Sequence, residues 1–340
     1  ACWRAGAPRA ASGCLPEATG ILAFLSFSYG VLHAAGPGHG KAVISAYVLA
    51  NERTVRRGIA RERIDVLLDP AGAEQAPVPA ASPGPFLHDR GTGIPTSMFG
   101  TYIRGGEWIV YPFFEYYRDG NFEYKPEELG YAGDQDFRGK YRAKEGLILI
   151  AYGLTDDLAI EMEAAVIRAS LEKAPDDASA LPARIEESGL GDVEGQLRWR
   201  WRRETRERPE FFSYLEAVVP HAKDEPLIGT PDIELKLGTG LVRGFSWGTL
   251  TARVAIEYAG GSTSQFDLGE YAVEYLKRVS PRWSLYAGLE GTQDELSLIT
   301  EAQWHLARNV TLKLNNSVGI TSKATDWAPE VGLLFRIPKR

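Results

Sequence analysis

The stretch 309–319 reads NVTLKLNNSVG, and within it Val310, Leu312 and Leu314 alternate with Thr311, Lys313 and Asn315. Side chains of an extended chain point to opposite faces in turn, so this period of two describes a strand with one apolar and one polar face. The preceding stretch repeats it, with Leu296, Leu298, Ala302, Trp304 and Leu306 set against Glu295, Ser297, Glu301, Gln303 and His305. Further back, Val193, Leu197, Trp199 and Trp201 alternate with Glu194, Gln196, Arg198, Arg200 and Arg202. Read outward in this way, the chain holds twelve strands, near 107–118, 141–153, 157–167, 192–203, 211–219, 231–243, 247–258, 266–279, 282–290, 295–307, 309–320 and 328–337. Strands of soluble domains usually run about 5 to 6 residues, whereas about ten residues tilted ~45° cross a bilayer. An even count of long strands points to an all-β fold over 97–340, a transmembrane antiparallel up-and-down β-barrel of about 12 strands.

The intervals between strands sort consistently. Counting back from the C-terminus, Thr321 to Trp327, Gly291 to Asp294, Ala259 to Gln265, Pro220 to Thr230, Arg168 to Gly191 and Asp119 to Lys140 are long or polar. The intervals between those are mostly tight: Arg308, Ser280-Pro281, Gly244 to Ser246 and Thr155-Asp156, with Glu204 to Glu210 the longest. Short periplasmic turns alternating with longer external loops are the habit of outer-membrane barrels. Trp108, Tyr111, Tyr116, Tyr117, Trp247, Tyr258, Tyr271, Tyr275, Trp283 and Tyr286 fall near strand ends, where an interfacial girdle would place them.

With apolar side chains facing lipid, the expected lumen is lined by Glu194, Arg198, Arg200, Arg202, Glu234, Lys236, Arg253, Glu257, Glu270, Glu274, Glu301, His305 and Lys313. Both signs are interspersed, so the groups can pair across a narrow interior or line a small-solute path. Twelve strands fall between side-chain-filled barrels of eight and open channels of sixteen or more. Arg198, Arg200 and Arg202 together would bias a pore towards anions. Two functions follow: a porin-like transport protein, or a closed, plugged structural barrel. The expected partners are a lipid bilayer, the outer-membrane assembly machinery and a small solute or divalent metal ion.

Composition removes other classes. The chain has 340 residues, 44% of them hydrophobic and 24% charged, with a net charge of −7, which speaks against a basic nucleic-acid binder. Cys2 and Cys14 have no CxxC spacing and no nearby histidines, so no cysteine metal site or disulfide scaffold is expected. No GxSxG accompanies His221 or His305, and Gly238, Gly240 and Gly244 lie within a strand rather than in a dinucleotide loop. Neither an enzyme nor a cofactor is expected.

The N-terminal third differs in character. After a loose N-terminus at 1–19, residues 20–50 read GILAFLSFSYGVLHAAGPGHGKAVISAYVLA, and Arg53, Arg56 and Arg57 follow. The apolar stretch is about long enough for one membrane-spanning helix, with the arginines on the cytoplasmic side. Pro70, Pro77, Pro79, Pro83, Pro85 and Pro95 then mark 60–96 as an extended linker. The six residues GPGHGK do not match the spacing of a phosphate-binding loop. His33 and His39 are six apart, about 240° on a helical wheel, and Pro37 between Gly36 and Gly38 would break that helix and let both rings converge.

Phe24 to Ile59, with SYGVLHAAGPGHGKAVISAYVLANERTVRRGI at its heart, resembles the nickel/cobalt efflux permease family. The resemblance implies His33 and His39 as metal ligands for transported Ni²⁺ or Co²⁺, borderline ions that prefer nitrogen donors. The further membrane helices of that family do not follow in this chain, so 20–59 reads as an incomplete permease-like segment and as a gene-fusion remnant on the plugged-barrel reading. At the other end, Glu330 to Ile337 (EVGLLFRI) resembles the C-terminal assembly signal of outer-membrane barrels, here followed by Pro338, Lys339 and Arg340. The stretch 93–340 is similar to proteobacterial outer-membrane barrels in the style of the phenol-degradation-associated transporter family. That resemblance implies a barrel in the bacterial outer membrane.

Overall fold

The computed structural model describes residues 84–222, 224–260 and 265–338. The expectations for 1–83, including the permease-like segment with His33 and His39, lie outside the described residues.

Twelve antiparallel strands form a closed ring: β3 (Trp108–Tyr124), β4 (Phe137–Thr155), β5 (Leu158–Glu172), β6 (Arg184–Arg202), β7 (Glu210–Val219), β8 (Glu234–Phe245), β9 (Gly248–Ala259), β10 (Gln265–Ser280), β11 (Trp283–Gly291), β12 (Leu296–Ala307), β13 (Val310–Gly319) and β14 (Trp327–Ile337). Each strand pairs with its sequence neighbours, and β14 closes the ring on β3 with Ile337 opposite Trp108. Two shorter strands, β1 (Ile94–Pro95) and β2 (Tyr102–Ile103), pair only with each other.

The period of two sets the faces. On β14, Trp327, Val331, Leu333 and Ile337 are exposed while Ala328 and Leu334 between them are buried. Register carries that parity across the sheet: Val331 lies opposite Leu314 and Leu333 opposite Leu312, all on the outer face. Trp327 and Ile337 are ten residues apart, which at ~3.3 Å per residue and ~40° tilt spans about 25 Å along the barrel axis, the height of a lipid-facing apolar band. Such a continuous apolar exterior far exceeds what a water-facing surface carries. Among the described residues no helix is long and apolar enough to cross a membrane.

Short turns gather at one end of the barrel, with Trp108 and Ile337, and long connections at the other. On the long-loop end β4 starts at Phe137 and β6 at Arg184, earlier than the alternation indicated. β3 likewise runs on to Tyr124 and β5 to Glu172, and this end holds a cluster of Tyr124, Ala143, Leu171, Leu181, Leu227 and Ile228, against which Phe137 and Ile185 of the extensions pack. The stretch Arg184–Leu190 hides its alternation because its buried face is thin and its polar face acidic. Three girdle aromatics correct differently: Tyr111 and Tyr286 are buried against the lumen, and Tyr117 lines its outer cavities. They occupy the inward parity of β3 and β11, which position near a strand end does not reveal.

The main departure is the segment before β3. Residues 84–96, expected as linker, lie in the barrel interior with 97–107. Ile94 and Ile103 are 1% exposed and pack with Ile109, Tyr111, Leu149 and Leu334 of the wall. Pro95 lacks an N–H and so brings no donor that burial could leave unpaired, and its carbonyl accepts from Arg198 of the wall. Gly100 makes the turn between β1 and β2 at φ +55°, a conformation that favours glycine.

Candidate functional site: the barrel lumen

The lumen falls into three zones along the axis. At the short-turn end, 84–107 forms a plug. Its backbone carbonyls accept from four basic wall residues: Arg198 Nη1 to Pro95 O (3.2 Å), Arg200 Nη1 to Thr92 O (3.1 Å), Lys313 Nζ to Phe99 O (2.9 Å) and Arg336 Nη1 to Tyr102 O (2.8 Å). Its own Arg90 is fully buried between Glu204 at 3.0 Å and Glu210 at 3.1 Å. At its tip, Ser97 donates through N and Oγ to Glu161 Oε2, at 2.8 and 2.5 Å. The plug passes close to the wall at Gly244, where an added Cβ would overlap the Phe86 carbonyl.

The middle zone is a charge network. Arg198 pairs with Glu161 at 3.1 Å and lies over the Tyr214 ring at 4.9 Å. Lys236 meets Glu216 at 2.9 Å and Glu270 at 3.8 Å. Arg253 is held by Glu270, by Glu274 at 2.8 Å and by Glu290 at 2.6 Å, while Tyr214 donates to Glu270 at 2.6 Å. Lys313 pairs with Glu301 at 3.0 Å, and Glu301 also accepts from Gln303. Glu257 sits opposite Lys236 in register. The ring of His305 bridges Ser284 Oγ at 2.9 Å and Thr311 Oγ1 at 3.1 Å. The described residues contain no group of three or more His, Cys, Asp and Glu placed to hold a metal.

Arg202 is the exception among the expected lumen residues. A register shift between Arg200 and Arg202 moves it to the outer face, where its guanidinium lies 4.6 Å over the exposed Phe211 ring. Arg200 is bound to Glu210, Asp157 and the plug, so the three arginines form no open basic ring.

The third zone, towards the long-loop end, is a cavity of about 410 Å³ whose lining includes Glu115, Glu145, Glu163, Asp192, Glu194 and Glu234. A second cavity of about 300 Å³ lies next to it, sharing Tyr117, Glu145, Pro226 and Leu227. No Lys, Arg or His lines either one among the described residues. The β7–β8 loop leans inward because Asp192 of β6 accepts from His221 N (2.7 Å), Thr230 N (2.6 Å) and Thr230 Oγ1 (2.8 Å), and Glu187 accepts from Leu227 N (2.7 Å). Sequence reading named Glu194 and Glu234 but missed Glu115, Glu145, Glu161 and Glu163. Their parity was available: Ile160, Met162 and Val166 on the other face of β5 set Glu161 and Glu163 inward.

A family model described as a high-affinity nickel-transport protein matches residues 19–60, outside the described residues. Among solved structures, an outer-membrane channel from Pseudomonas putida F1 is similar at 14% identity and a TM-score of 0.52, covering 76% of this chain and 100% of that one. The translocator domain of the autotransporter NalP from Neisseria meningitidis matches at 12% identity and a TM-score of 0.45, over 69% of this chain and 90% of that one. The toluene transporter TbuX of Ralstonia pickettii matches at 11% and 0.38, over 70% and 90% respectively. No curated protein matches. The first likeness shows a shared fold, that of an outer-membrane β-barrel.

Proposed function

We propose that the protein is an outer-membrane transport protein that passes small solutes through its barrel when the plug of residues 84–107 moves aside. The observation that carries this reading is how the plug is held. β1 and β2 take no part in the ring's ladder, and the plug's middle is fixed by side-chain contacts that can break without opening a strand pair. A permanent structural filling would need no such separable attachment. Planar-bilayer recordings test it: the full-length chain conducts little, and deletion of 84–103 raises the unitary conductance several-fold. Silence of the deletion variant, with the barrel folded, would establish the closed structural barrel instead.

Nickel or cobalt is the second reading, supported by the match over 19–60 and by the acidic lining of the outer lumen, which favours cations. His33 and His39 are the proposed ligands. Host sensitivity to Ni²⁺ should change on expression and change less with His33→Ala and His39→Ala; identical sensitivity in all three strains removes the metal.

A further inference from the structure

The cavity at the long-loop end differs from the acidic chamber beneath it. Tyr117, Phe122, Tyr124 and Tyr141 line it, together with Leu227 and the carboxylate of Glu145. Phe122 and Tyr141 stack on one another at 4.8 Å with 23° between their planes, which fixes both rings at the cavity wall and leaves the outer side of the pair for an occupant. The tyrosine hydroxyls are largely engaged elsewhere. Tyr141 donates to Leu227 O at 3.2 Å, and Tyr124 donates to Asp177 at 2.9 Å. What these residues offer an occupant is therefore π surface rather than hydrogen bonds. Glu123, also at the cavity, is neutralised by Arg138 and Lys323. Glu145 has no ion pair among the described residues and stands at the junction with the deeper chamber.

We infer that this cavity binds an organic cation, an ammonium head carrying apolar substituents, as the solute on its way into the barrel. The inference rests on the transport reading above and names its substrate class. Each alternative leaves something unmatched. An anion would face the carboxylates of Glu145 and Glu128, and among the described residues no Lys, Arg or His lines the cavity to receive it. A hydrated metal ion gains little from an aromatic lining. A neutral hydrocarbon would desolvate Glu145 without compensation. A quaternary ammonium uses both features, since ring faces attract cations and the carboxylate supplies the counter-charge. A volume of about 300 Å³ is at the small end for ligand sites and suits such a head.

The test is calorimetric titration of the detergent-solubilised full-length chain at pH 8 with choline, with its neutral isostere 3,3-dimethylbutan-1-ol and with NiCl₂. Choline is expected to bind at least tenfold more tightly than the alcohol. Glu145→Gln, which keeps size and shape, and Phe122→Leu should each weaken choline at least tenfold, with heat-dependent gel mobility confirming that the barrel remains closed. Equal binding of the alcohol, choline binding indifferent to both substitutions, or Ni²⁺ binding without choline binding overturns the proposal. Bilayer conductance separates the two readings. Choline binding to a chain that never conducts sinks transport alone, and conduction without choline binding sinks the site alone.

Discussion

Arg90 enters the lumen on a segment of the chain that carries no strand pattern, and its guanidinium ends between two buried carboxylates, Glu204 and Glu210. Without it Glu210 keeps Arg200 at 2.9 Å and Glu204 keeps Arg243 at 3.7 Å, and breaking a buried charge set in this way costs up to about 3–5 kcal/mol. Arg90→Ala should therefore release the plug while the ring stays closed, seen as raised bilayer conductance with unchanged heat-dependent mobility. Gly244→Ala should reach the same end sterically, because its Cβ would occupy the place of the Phe86 carbonyl. The expected result is flickering conductance, and a silent channel counts against the plug's role. At this scale the sequence is half legible. Glu301 and Lys313 follow from alternation and do meet, at 3.0 Å. Arg90 and Gly244 have no pattern to betray them, since each matters through a partner more than a hundred residues away in the chain.

Strands were legible to within a few residues wherever one face is apolar, because burial against lipid and the polar lumen enforce the same period. Where that contrast fades, so did the reading. In β6 the slip between Arg200 and Arg202 reverses which face a side chain takes, and no residue type announces it. The faces themselves are testable. Leu314→Lys, on the lipid side at the middle of β13, should cost about 2–4 kcal/mol of folding into vesicles. Asn315→Lys, on the lumen side next to Glu330, should cost little; a larger penalty at Asn315 would invert the assigned faces. One turn carries a pH dependence of known sign. Asp157, between β4 and β5, is held below the usual carboxylate range by its hydrogen bonds to Arg203 and then Arg200. A depressed carboxyl stabilises the fold above its unfolded value and loses that contribution as pH falls through its folded value. Arg203→Gln should thus move the acid-unfolding midpoint slightly upward, by less than about 1 kcal/mol in stability because the pair is solvent-exposed.

Taken whole, the ring has no free edge, and every strand must be lost together for it to open. Unboiled protein from the outer-membrane fraction should run as a compact band that shifts on heating; a single mobility, or recovery in the inner membrane, contradicts the barrel. The number of strands and the sorting of loops could be read from the chain because they repeat. The plug could not, because Gly91 to Gly106 is fixed by carbonyls accepting from distant arginines and lysines, and a carbonyl is the same at every residue. The plug also has a kinetic consequence. The final pairing joins positions 108 and 337, the contact of greatest separation along the ring and so the one with the largest loop-closure entropy. Once it forms, 84–107 is encircled and can leave only endwise, never sideways between strands. A segment enclosed in this way shares its only exit with any later gating movement, so the end that closes last in assembly is also the end that opens first in use.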